Sequence, residues 1–460
     1  MAIQQTISPV DGSVYVEREQ AEAAAIEAAL ERAVAAQRAW REVPIAERAA
    51  CCSRMVDAFV ARRDDLAREL TWQMGRPIAA APGEVGGFEE RARTMIALAE
   101  EALAPLRLAE KPGFTRYITR EPLGVSLVVA PWNYPYMTAV NAIVPAIMAG
   151  NAVLLKASAQ TPLSAERLQE AFDAAGLPAG VFQYLHLAHD DTEALIRDAR
   201  LDHVAFTGSV AGGAMVERNA AGRFIATGLE LGGKDPAYVR ADVDLEAAVA
   251  GVMDGVFFNS GQSCCAVERV YVDRRIFDAF VERAVAWVRQ LRLGNPTDSA
   301  TTLGPLVRPA AADLVRGQVE EAVAAGARAW IDPGDYPLST PGSAYLAPQL
   351  LTGVDHGMRV MTEESFGPVV GIMPVTSDDE AVGLMNDSAF GLTAAVFTRD
   401  LAAGEAIARR LEAGTVFTNR CDYLDPELAW TGVKRSGRGC SLSRLGYETL
   451  TRPKSYHLKH

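Results

Sequence analysis

Two adjacent cysteines, Cys264 and Cys265, follow a Gly-Gln turn and precede an apolar run typical of a strand. A thiolate attacks a carbonyl carbon far more readily than a hydroxyl does at neutral pH, so either cysteine is a candidate nucleophile. Free cysteine is also among the most buried residue types in proteins. The pair alone therefore leaves two interpretations open, a nucleophile or two small core residues.

Two further polar residues stand in apolar surroundings. Asn133 lies in a Trp-Asn-Tyr turn after an apolar run, where its amide could donate to an oxyanion or cap the next helix. Glu230 lies between Leu229 and Leu231, and burial raises the pKa of a carboxyl group toward neutrality. Such a carboxylate can activate water as a general base, or it can be a hydrogen-bonded structural group.

Glycines and a lysine mark a candidate nucleotide site. Gly208, Ser209 and Gly213 follow the apolar stretch HVAF where a helix should begin. Backbone N–H groups there could approach a pyrophosphate, or the segment could be an ordinary turn. Lys156 ends the apolar stretch NAVLL, at the strand terminus where open α/β folds bind ligands, and a solvated lysine is the alternative.

The elements that must position these residues have the pattern of parallel α/β units. Three apolar β-branched runs, VSLVVAP, NAVLLKA and HVAFTGS, are each followed by a helical pattern. A second series of helices and strands, at 245–258, 275–291, 366–375 and 392–398, predicts another α/β unit. The sequence therefore predicts a doubly wound domain followed by a second α/β domain.

Other segments predict the cover and the edges of these domains. Helical spacing of apolar residues predicts two long amphipathic helices, over 17–40 and 45–70. The segment FTRYITRE at 114–121 alternates apolar and polar residues and ends at Pro122, as an exposed antiparallel strand does. The C-terminal TRPKSYHLKH alternates in the same way and predicts an added edge strand.

Length and composition exclude several classes of protein. The 460 residues exceed one ordinary core, and the formal charge of −13 disfavours a nucleic-acid or anionic-membrane partner. The six cysteines predict no disulfide framework, and no group of His or Cys has metal-ligand spacing, so we expect no metal. The N-terminus lacks signal-peptide features, and the most apolar segment, 139–155, is interrupted by Asn, Pro and Gly. We expect a cytoplasmic protein without a membrane span.

Three motifs occur together in one order, PWNYP at 131–135, LELGGK at 229–234 and GQSCC at 261–265. With them the chain resembles the aldehyde dehydrogenase superfamily over essentially its full length. The resemblance implies that Cys264 is the nucleophile, that Asn133 donates to the oxyanion and that Glu230 is the base for thioester hydrolysis. Cys265 is then expected to be a small buried neighbour.

The resemblance also implies an architecture. A Rossmann-like, doubly wound cofactor domain would comprise 1–103, 123–232 and 436–450. A second α/β domain, which is catalytic, would comprise 233–435. A small β element for oligomerisation would comprise 104–122 and 451–460, so we expect a homodimer or homotetramer.

The segment EESFGPV, 363–369, resembles the family's cofactor clamp, in which Glu364 binds the nicotinamide ribose and Phe366 supports the ring. The resemblance places further residues at the cofactor, namely Trp132, Lys156, Ser158, Ala159, Gly208, Ser209 and Gly213. Members that prefer NAD commonly carry a glutamate where this chain has Ala159, so NADP is admissible. No arginine is added nearby to hold a phosphate, and we therefore lean slightly to NAD.

The C-terminal segment ELAWTGVKRSG departs from the family's frequent Pro-Phe-Gly-Gly. The residues expected to line the substrate site are Tyr134, Met137, Ser263 and Trp430. Such walls suit an arylaldehyde, an alkyl aldehyde or a cation. The alternative is that these side chains only pack in the core. An amino-aldehyde is favoured if the loop acids Asp422, Asp425 and Glu427 face the substrate entrance. A semialdehyde carboxylate is favoured if Arg420 faces it instead.

The function implied is NAD(P)-dependent oxidation of an aldehyde to a carboxylic acid through a thiohemiacetal and a thioester on Cys264. The presence of Glu230 favours hydrolysis over transfer to coenzyme A. Two alternatives stay open, a succinate-semialdehyde-type carboxy-aldehyde dehydrogenase and a catalytically silent family member that binds cofactor.

Overall fold

The computed structural model describes residues 2–460. The part before residue 123 contains a hairpin, four helices and two paired strands: β1 (Ile3–Ile7), β2 (Val14–Glu19), α1 (Ala23–Trp40), α2 (Ile45–Val60), α3 (Arg63–Met74), α4 (Pro82–Leu103), β3 (Leu106–Arg107) and β4 (Phe114–Pro122). The helix predicted over 45–70 is two helices, because the backbone leaves helical geometry at Arg62. This break lets Phe59 and Leu66 face the same core.

Strands and helices then alternate: β5 (Val125–Val129), α5 (Pro135–Ala149), β6 (Ala152–Lys156), α6 (Leu163–Ala174), β7 (Phe182–Tyr184), α7 (His189–Arg197), β8 (His203–Thr207), α8 (Val210–Ala220), β9 (Ala226–Glu230) and β10 (Asp235–Val239). All three predicted strand-then-helix units are confirmed.

The remaining elements are α9 (Leu245–Phe257), β11 (Val267–Asp273), α10 (Phe277–Val288), α11 (Pro309–Ala324), β12 (Arg328–Ala329), β13 (Gln349–Thr352), α12 (Arg359–Thr362), β14 (Val369–Val375), α13 (Asp378–Asn386), β15 (Phe390–Gly391), β16 (Thr393–Phe397), α14 (Leu401–Ala408), β17 (Thr415–Thr418), β18 (Val433–Lys434), β19 (Gly437–Arg438) and β20 (Thr451–Lys459). Short 3-10 helices span Phe258–Gly261, Pro333–Asp335 and Leu445–Leu450.

The first large sheet has the strand order β19-β9-β8-β5-β6-β7, and only β19 is antiparallel to its neighbour. The chain leaves β5 toward β6 on one side and later returns to β8 on the other, so the order reverses at β5. Open α/β sheets bind ligands at such a switch point, beyond the carboxyl ends of the strands. Those ends lead into Asn133 after β5, Gly208 after β8 and Glu230 in β9.

The second sheet has the order β12-β13-β14-β11-β10-β16-β17 and is parallel apart from β12. Strand β11 is buried along its whole length and begins three residues after Cys264. Two predominantly parallel sheets with helices on their faces confirm the predicted α/β fold class. No helix among residues 2–460 combines the length and apolar character needed to cross a membrane.

A third, antiparallel sheet has the order β20-β4-β3. Strand β20 pairs with β4 from Thr451 opposite Pro122 to Lys459 opposite Phe114, which confirms both predicted exposed strands. Each residue of β4 is partly exposed, and β20 is exposed along most of its length. This sheet therefore stands apart from the buried cores.

Candidate active site

Cys264 lies where two cavities of about 290 Å³ each meet. The two cavities share four lining residues, which are Thr138, Thr207, Glu230 and Cys264. The cysteine is partly exposed, whereas Cys265 is 3% exposed, as expected for a buried neighbour. Molecules bound in the two cavities would therefore meet at the Cys264 sulfur and the Glu230 carboxyl group.

The turn before Cys264 has an unusual backbone. Residues 259–261 all have left-handed φ angles, of 53°, 59° and 72°. Non-glycine residues adopt this region only when their surroundings hold them there. Arg76 Nε donates to Asn259 Oδ1 at 3.1 Å. A side chain at Gly261 would place its Cβ 2.3 Å from the carbonyl oxygen of Gly367, so the turn requires glycine at that position.

Asn133 is buried beside this turn and lines the first cavity. Its Nδ2 donates to the carbonyl oxygen of Gln262 at 3.2 Å, and Asn259 Nδ2 donates to the same oxygen at 3.1 Å. The N-cap of α5 is Tyr134, and no side chain caps that helix, so Asn133 does not have the alternative capping role. The amide is therefore fixed next to the residues that carry the thiol.

Glu230 ends β9 and lies in the wall of both cavities. Ser441 Oγ donates to its Oε1, and Thr207 Oγ1 donates to its Oε2 at 3.4 Å. Burial raises the pKa of this carboxyl group, and the hydrogen bonds and the nearby Arg91 charge only partly offset that effect. A carboxyl group with a raised pKa next to a thiol is suited to take a proton from water near neutral pH.

The first cavity has the features of a dinucleotide site. Trp132 and Phe366 pack edge to face with ring centroids 5.7 Å apart. Glu364 Oε1 accepts a hydrogen bond from the Gly233 backbone at 3.0 Å, and burial, together with the charge of Glu268, raises the pKa of Glu364 to about 7. Gly208 and Ser209, which also line the cavity, stand at the N-terminus of α8.

Four residues predicted at the cofactor do not line this cavity: Lys156, Ser158, Ala159 and Gly213. Lys156 is opposite Val129 of β5, one strand over, and no carboxylate among residues 2–460 lies within 4.0 Å of its ammonium group. Ala159 is exposed. Gly213 packs α8 on Leu231, whose Cδ2 would lie 2.6 Å from an added Cβ. The cofactor roles of these four residues stay predictions.

The second cavity contains all four residues predicted to line the substrate site, and the additional aromatic side chains Phe258 and Tyr423. Asp422 points into its wall, where its Oδ1 accepts from Ser263 Oγ at 3.1 Å and from Cys265 Sγ at 2.9 Å. Burial raises the pKa of Asp422.

The loop arginine packs on an aromatic ring and does not line this cavity. The Arg420 guanidinium lies 3.4 Å from the ring centroid of Tyr423 and is not part of the lining. A different cation, the buried Arg91 of α4, does line it, and Arg91 Nη1 donates to the Met137 carbonyl oxygen at 2.7 Å. Glu90 also lines the cavity and accepts from the Tyr423 hydroxyl at 2.9 Å.

The model of the aldehyde dehydrogenase family matches residues 2–456. The chain belongs to this family. A succinate-semialdehyde dehydrogenase [NADP(+)] of Mycolicibacterium paratuberculosis is 37% identical over 453 residues, which are 98% of this chain and 95% of that protein. Betaine aldehyde dehydrogenase 2 of Rhizobium meliloti is 36% identical over 455 residues, which are 98% and 93% of the two chains. The solved structure of Gox0499 aligns with a TM-score of 0.95 at 34% identity and covers 100% of both chains.

The protein is thus an NAD(P)-dependent aldehyde dehydrogenase, as the sequence motifs predicted. The comparisons do not bear out the slight lean to NAD, because the mycobacterial relative carries NADP in its name.

Sequence reasoning missed the buried pairs that hold this dehydrogenase's site. Arg76 and Glu84 form an ion pair at 2.5 Å, and Glu84 Oε1 also accepts the backbone N–H groups of Tyr136 and Met137 at 3.0 Å, at the start of α5. Arg76 also donates to the Asn133 carbonyl oxygen. No sequence pattern marked this pair, because Arg76 lies in the connection between α3 and α4 and Glu84 fits the first turn of an ordinary surface helix.

A second pair holds the loop that carries Glu364. Glu268 accepts the backbone N–H groups of Ser365 at 2.8 Å and Phe366 at 2.9 Å, and it is 2.5 Å from Lys234 Nζ. Phe366 has a left-handed φ of 53°, which these contacts support. A signal was present here, since a carboxylate within the buried strand VERVYVD must have partners.

Proposed function

We propose that Cys264 is the nucleophile of this aldehyde dehydrogenase, that the Asn133 amide is an oxyanion donor and that Glu230 is the general base. The observation that carries the proposal is that Cys264 and Glu230 both line each of the two cavities. In the first step the Cys264 thiolate adds to the aldehyde carbon, and the Asn133 amide stabilises the alkoxide. One such donor is typically worth roughly 3 kcal/mol of barrier.

The walls of the first cavity fit NAD(P). The Glu364 carboxylate can accept from ribose hydroxyls, the N-terminus of α8 can receive a pyrophosphate, and Trp132 with Phe366 can flank the nicotinamide. Bound there, NAD(P) would supply the acceptor for the hydride of the thiohemiacetal. Glu230 then takes a proton from the water that attacks the thioester, and the carboxylic acid leaves the Cys264 sulfur.

For the cofactor we propose NADP over NAD, which reverses the expectation from sequence. Ala159 offers no carboxylate to repel a 2′-phosphate, and the Lys156 ammonium has no acidic partner in the part of the chain that the structure describes. The name of the mycobacterial relative supports this choice. Measuring kcat/KM with both cofactors tests it, and Ala159→Glu should move the ratio toward NAD. A wild-type preference for NAD would contradict the proposal.

For the substrate we propose an aromatic, alkyl or amino-aldehyde. The aromatic walls suit an apolar substrate body. Leaving aside the base Glu230, the second cavity is lined by two carboxylates, Asp422 and Glu90, and by one arginine. A carboxy-aldehyde such as succinate semialdehyde is the second candidate, since Arg91 is buried in that wall and the mycobacterial relative is named for it.

A substrate panel separates the two candidates. We expect higher kcat/KM for benzaldehyde, butanal and 4-aminobutanal than for succinate semialdehyde. Asp422→Asn keeps the acceptor for Ser263 and Cys265 and should reduce kcat/KM for 4-aminobutanal while leaving butanal, the uncharged control, nearly unchanged. If succinate semialdehyde is preferred and Arg91→Gln abolishes that preference, the second candidate is correct. If no aldehyde in the panel is oxidised while cofactor still binds, the catalytically silent alternative gains.

We also propose the domain boundaries expected from the sequence, with 1–103, 123–232 and 436–450 binding the cofactor and 233–435 supplying Cys264. Each large sheet lies almost wholly within one of these two parts. The third sheet, β20-β4-β3, would join subunits of a homodimer or homotetramer, because it is exposed and separate from both cores.

A further inference from the structure

The helix α4 supplies one wall of the second cavity, and its first two turns contain three glycines, Gly83, Gly86 and Gly87. Gly83 and Gly87 lie about one turn apart and both line the cavity, whereas Gly86 does not. Glycine destabilises a helix relative to alanine, because it loses more backbone freedom on folding. The two lining glycines therefore weaken α4, and the structure shows what their missing side chains leave room for.

At Gly87 the room is filled by the side chain of Met137, from α5. An added Cβ at Gly87 would overlap the Met137 sulfur and lie 3.2 Å from its Cγ. The backbone of Met137 is held in place by α4, because Glu84 Oε1 accepts its N–H at 3.0 Å and Arg91 Nη1 donates to its carbonyl oxygen at 2.7 Å. Residues 84, 87 and 91 share one face of α4, so this face contacts Met137 on three sides.

At Gly83 the room is empty. Apart from its chain neighbours and the helix backbone, no atom of residues 2–460 lies within 4 Å of an added Cβ, and Gly83 is exposed. At Gly86 an added Cβ would lie 3.6 Å from the Arg63 guanidinium, which is an ordinary contact. The two lining glycines thus widen the cavity in different ways. Gly83 leaves space open, and Gly87 receives part of the Met137 side chain.

The remaining walls of the widened cavity suit a flat ring. Four aromatic side chains line it, namely Tyr134, Phe258, Tyr423 and Trp430. Aromatic rings pack favourably on one another, edge to face or offset-stacked. The Met137 thioether, which lies against Gly87, is a further group that forms favourable contacts with rings. A linear alkyl chain requires neither the width nor these contacts.

We propose that Gly87 is a specificity-determining residue, which keeps the Met137 side chain against α4 and so opens the cavity to aldehydes whose carbonyl group is attached to an aromatic ring. This inference rests on the proposed function, in which the second cavity binds the aldehyde. Gly83 adds to the same width at an exposed part of the wall. Among the aromatic, alkyl and amino-aldehydes proposed above, the inference selects the aromatic class.

The test compares benzaldehyde with butanal in glycine-to-alanine variants of α4. Gly87→Ala forces the Met137 side chain toward the substrate, because the backbone of Met137 is held. Gly86→Ala is the matched control, since it makes the same change one residue away and outside the cavity wall. In the double variant Gly87→Ala/Met137→Ala, no long side chain remains to be displaced.

We expect Gly87→Ala to lower kcat/KM for benzaldehyde about tenfold, and kcat/KM for butanal no more than about threefold, because roughly one methylene group of pocket space is lost. The double variant should return the ratio of the two values toward that of the wild type. Gly86→Ala should keep the wild-type ratio. The ratio is the decisive readout, because a general disturbance of the fold would lower both values together.

A wild-type ratio in folded Gly87→Ala enzyme would overturn the proposal, as would an equal fall of the ratio in Gly86→Ala. A double variant that stays at the low ratio would show that Met137 is not the displaced group. A wild-type preference for butanal would contradict the aromatic class. If Gly87→Ala does not fold, Gly83→Ala, which fills open space in the same wall, should lower the ratio in its place.

Binding of benzyl alcohol and butan-1-ol, measured by calorimetry, separates this inference from the proposed function, because it needs no turnover. If the wild type oxidises no aldehyde but Gly87→Ala weakens only benzyl alcohol binding, the proposed function is wrong and the role of Gly87 stands. If the wild type oxidises aldehydes and Gly87→Ala changes neither the ratio nor the binding, only the role of Gly87 is wrong.

Discussion

At the scale of single residues, two neighbouring thiols have different environments. Cys264 is partly exposed at the meeting point of the two large cavities. The Cys265 thiol is buried and donates to Asp422, and its hydrogen bond with Cys264, its burial and the Asp422 charge raise its pKa well above the ordinary value. Cys265 therefore stays a protonated thiol at neutral pH, which supports the proposed assignment of Cys264 as the nucleophile of the pair.

If Glu364 binds the cofactor ribose as proposed, its carboxyl group makes cofactor binding depend on pH. Its pKa of about 7 is raised by burial and by the charge of Glu268, while the Gly233 N–H and Lys234 oppose that rise. The carboxylate form predominates only above this pKa, and it is the stronger acceptor for ribose hydroxyls. The Kd for NAD, whose pyrophosphate does not titrate here, should fall up to about tenfold between pH 6 and pH 8.

Equilibrium titration of cofactor fluorescence across this pH range measures the effect. Glu364→Gln is the matched control, because the amide keeps the shape and cannot ionise, and its Kd should be flat with pH. A wild-type Kd that does not change, or that rises with pH, would show that Glu364 does not bind the cofactor as an ionised acceptor.

At the scale of elements, the fully buried Arg76–Glu84 pair connects α4, the start of α5 and the turn before Cys264. Removing one partner of a buried pair leaves an uncompensated charge, so Glu84→Ala should lower the free energy of unfolding by about 3–5 kcal/mol. Urea unfolding measures this loss. The solvated pair of Arg93 and Asp57 is a control, and Asp57→Ala should cost no more than about 1 kcal/mol. Equal losses in the two variants would contradict the structural role of Glu84.

Elements of the fold could be predicted where one physical rule decides them. Apolar β-branched runs followed by helices predicted β5, β6 and β8, because parallel strands are covered on both faces. The break at Arg62 was missed, since helical spacing continues across it. The left-handed turn at 259–261 was also missed, because long-range contacts with Arg76 and Gly367 stabilise it and no local propensity does.

The same limit applies to the site. Its motifs could be found in the sequence, and Cys264 and Glu230 do line the same two cavities. The loop from Arg420 to Glu427 could not be oriented in advance, because the direction of each side chain depends on partners far along the chain. Asp422 lines the cavity, where it accepts hydrogen bonds from Ser263 and Cys265, whereas Arg420 packs on the ring of Tyr423.

At the scale of the whole molecule, the third sheet carries exposed apolar side chains, including Leu106 at 53% and Leu458 at 47% exposure. Burying these side chains between subunits would be favourable. The double variant Leu106→Asp and Leu458→Asp should therefore shift a dimer or tetramer toward monomer in sedimentation equilibrium. The exposed Leu401 lies elsewhere, and Leu401→Asp should not change the mass. An unchanged mass in the double variant would place the interface on another surface.

The fold as a whole brings residues 133, 230 and 264 together from two sheets, and the central claim is that they form one acyl-transfer site. The most direct test is to mix Glu230→Gln enzyme with an aldehyde and NADP, quench it and locate any acyl group by mass spectrometry of peptides. The account predicts a burst of reduced cofactor and a thioester on Cys264, both absent in the Cys264→Ala double variant. An acyl group on Cys265, or a burst with no adduct on Cys264, would contradict it.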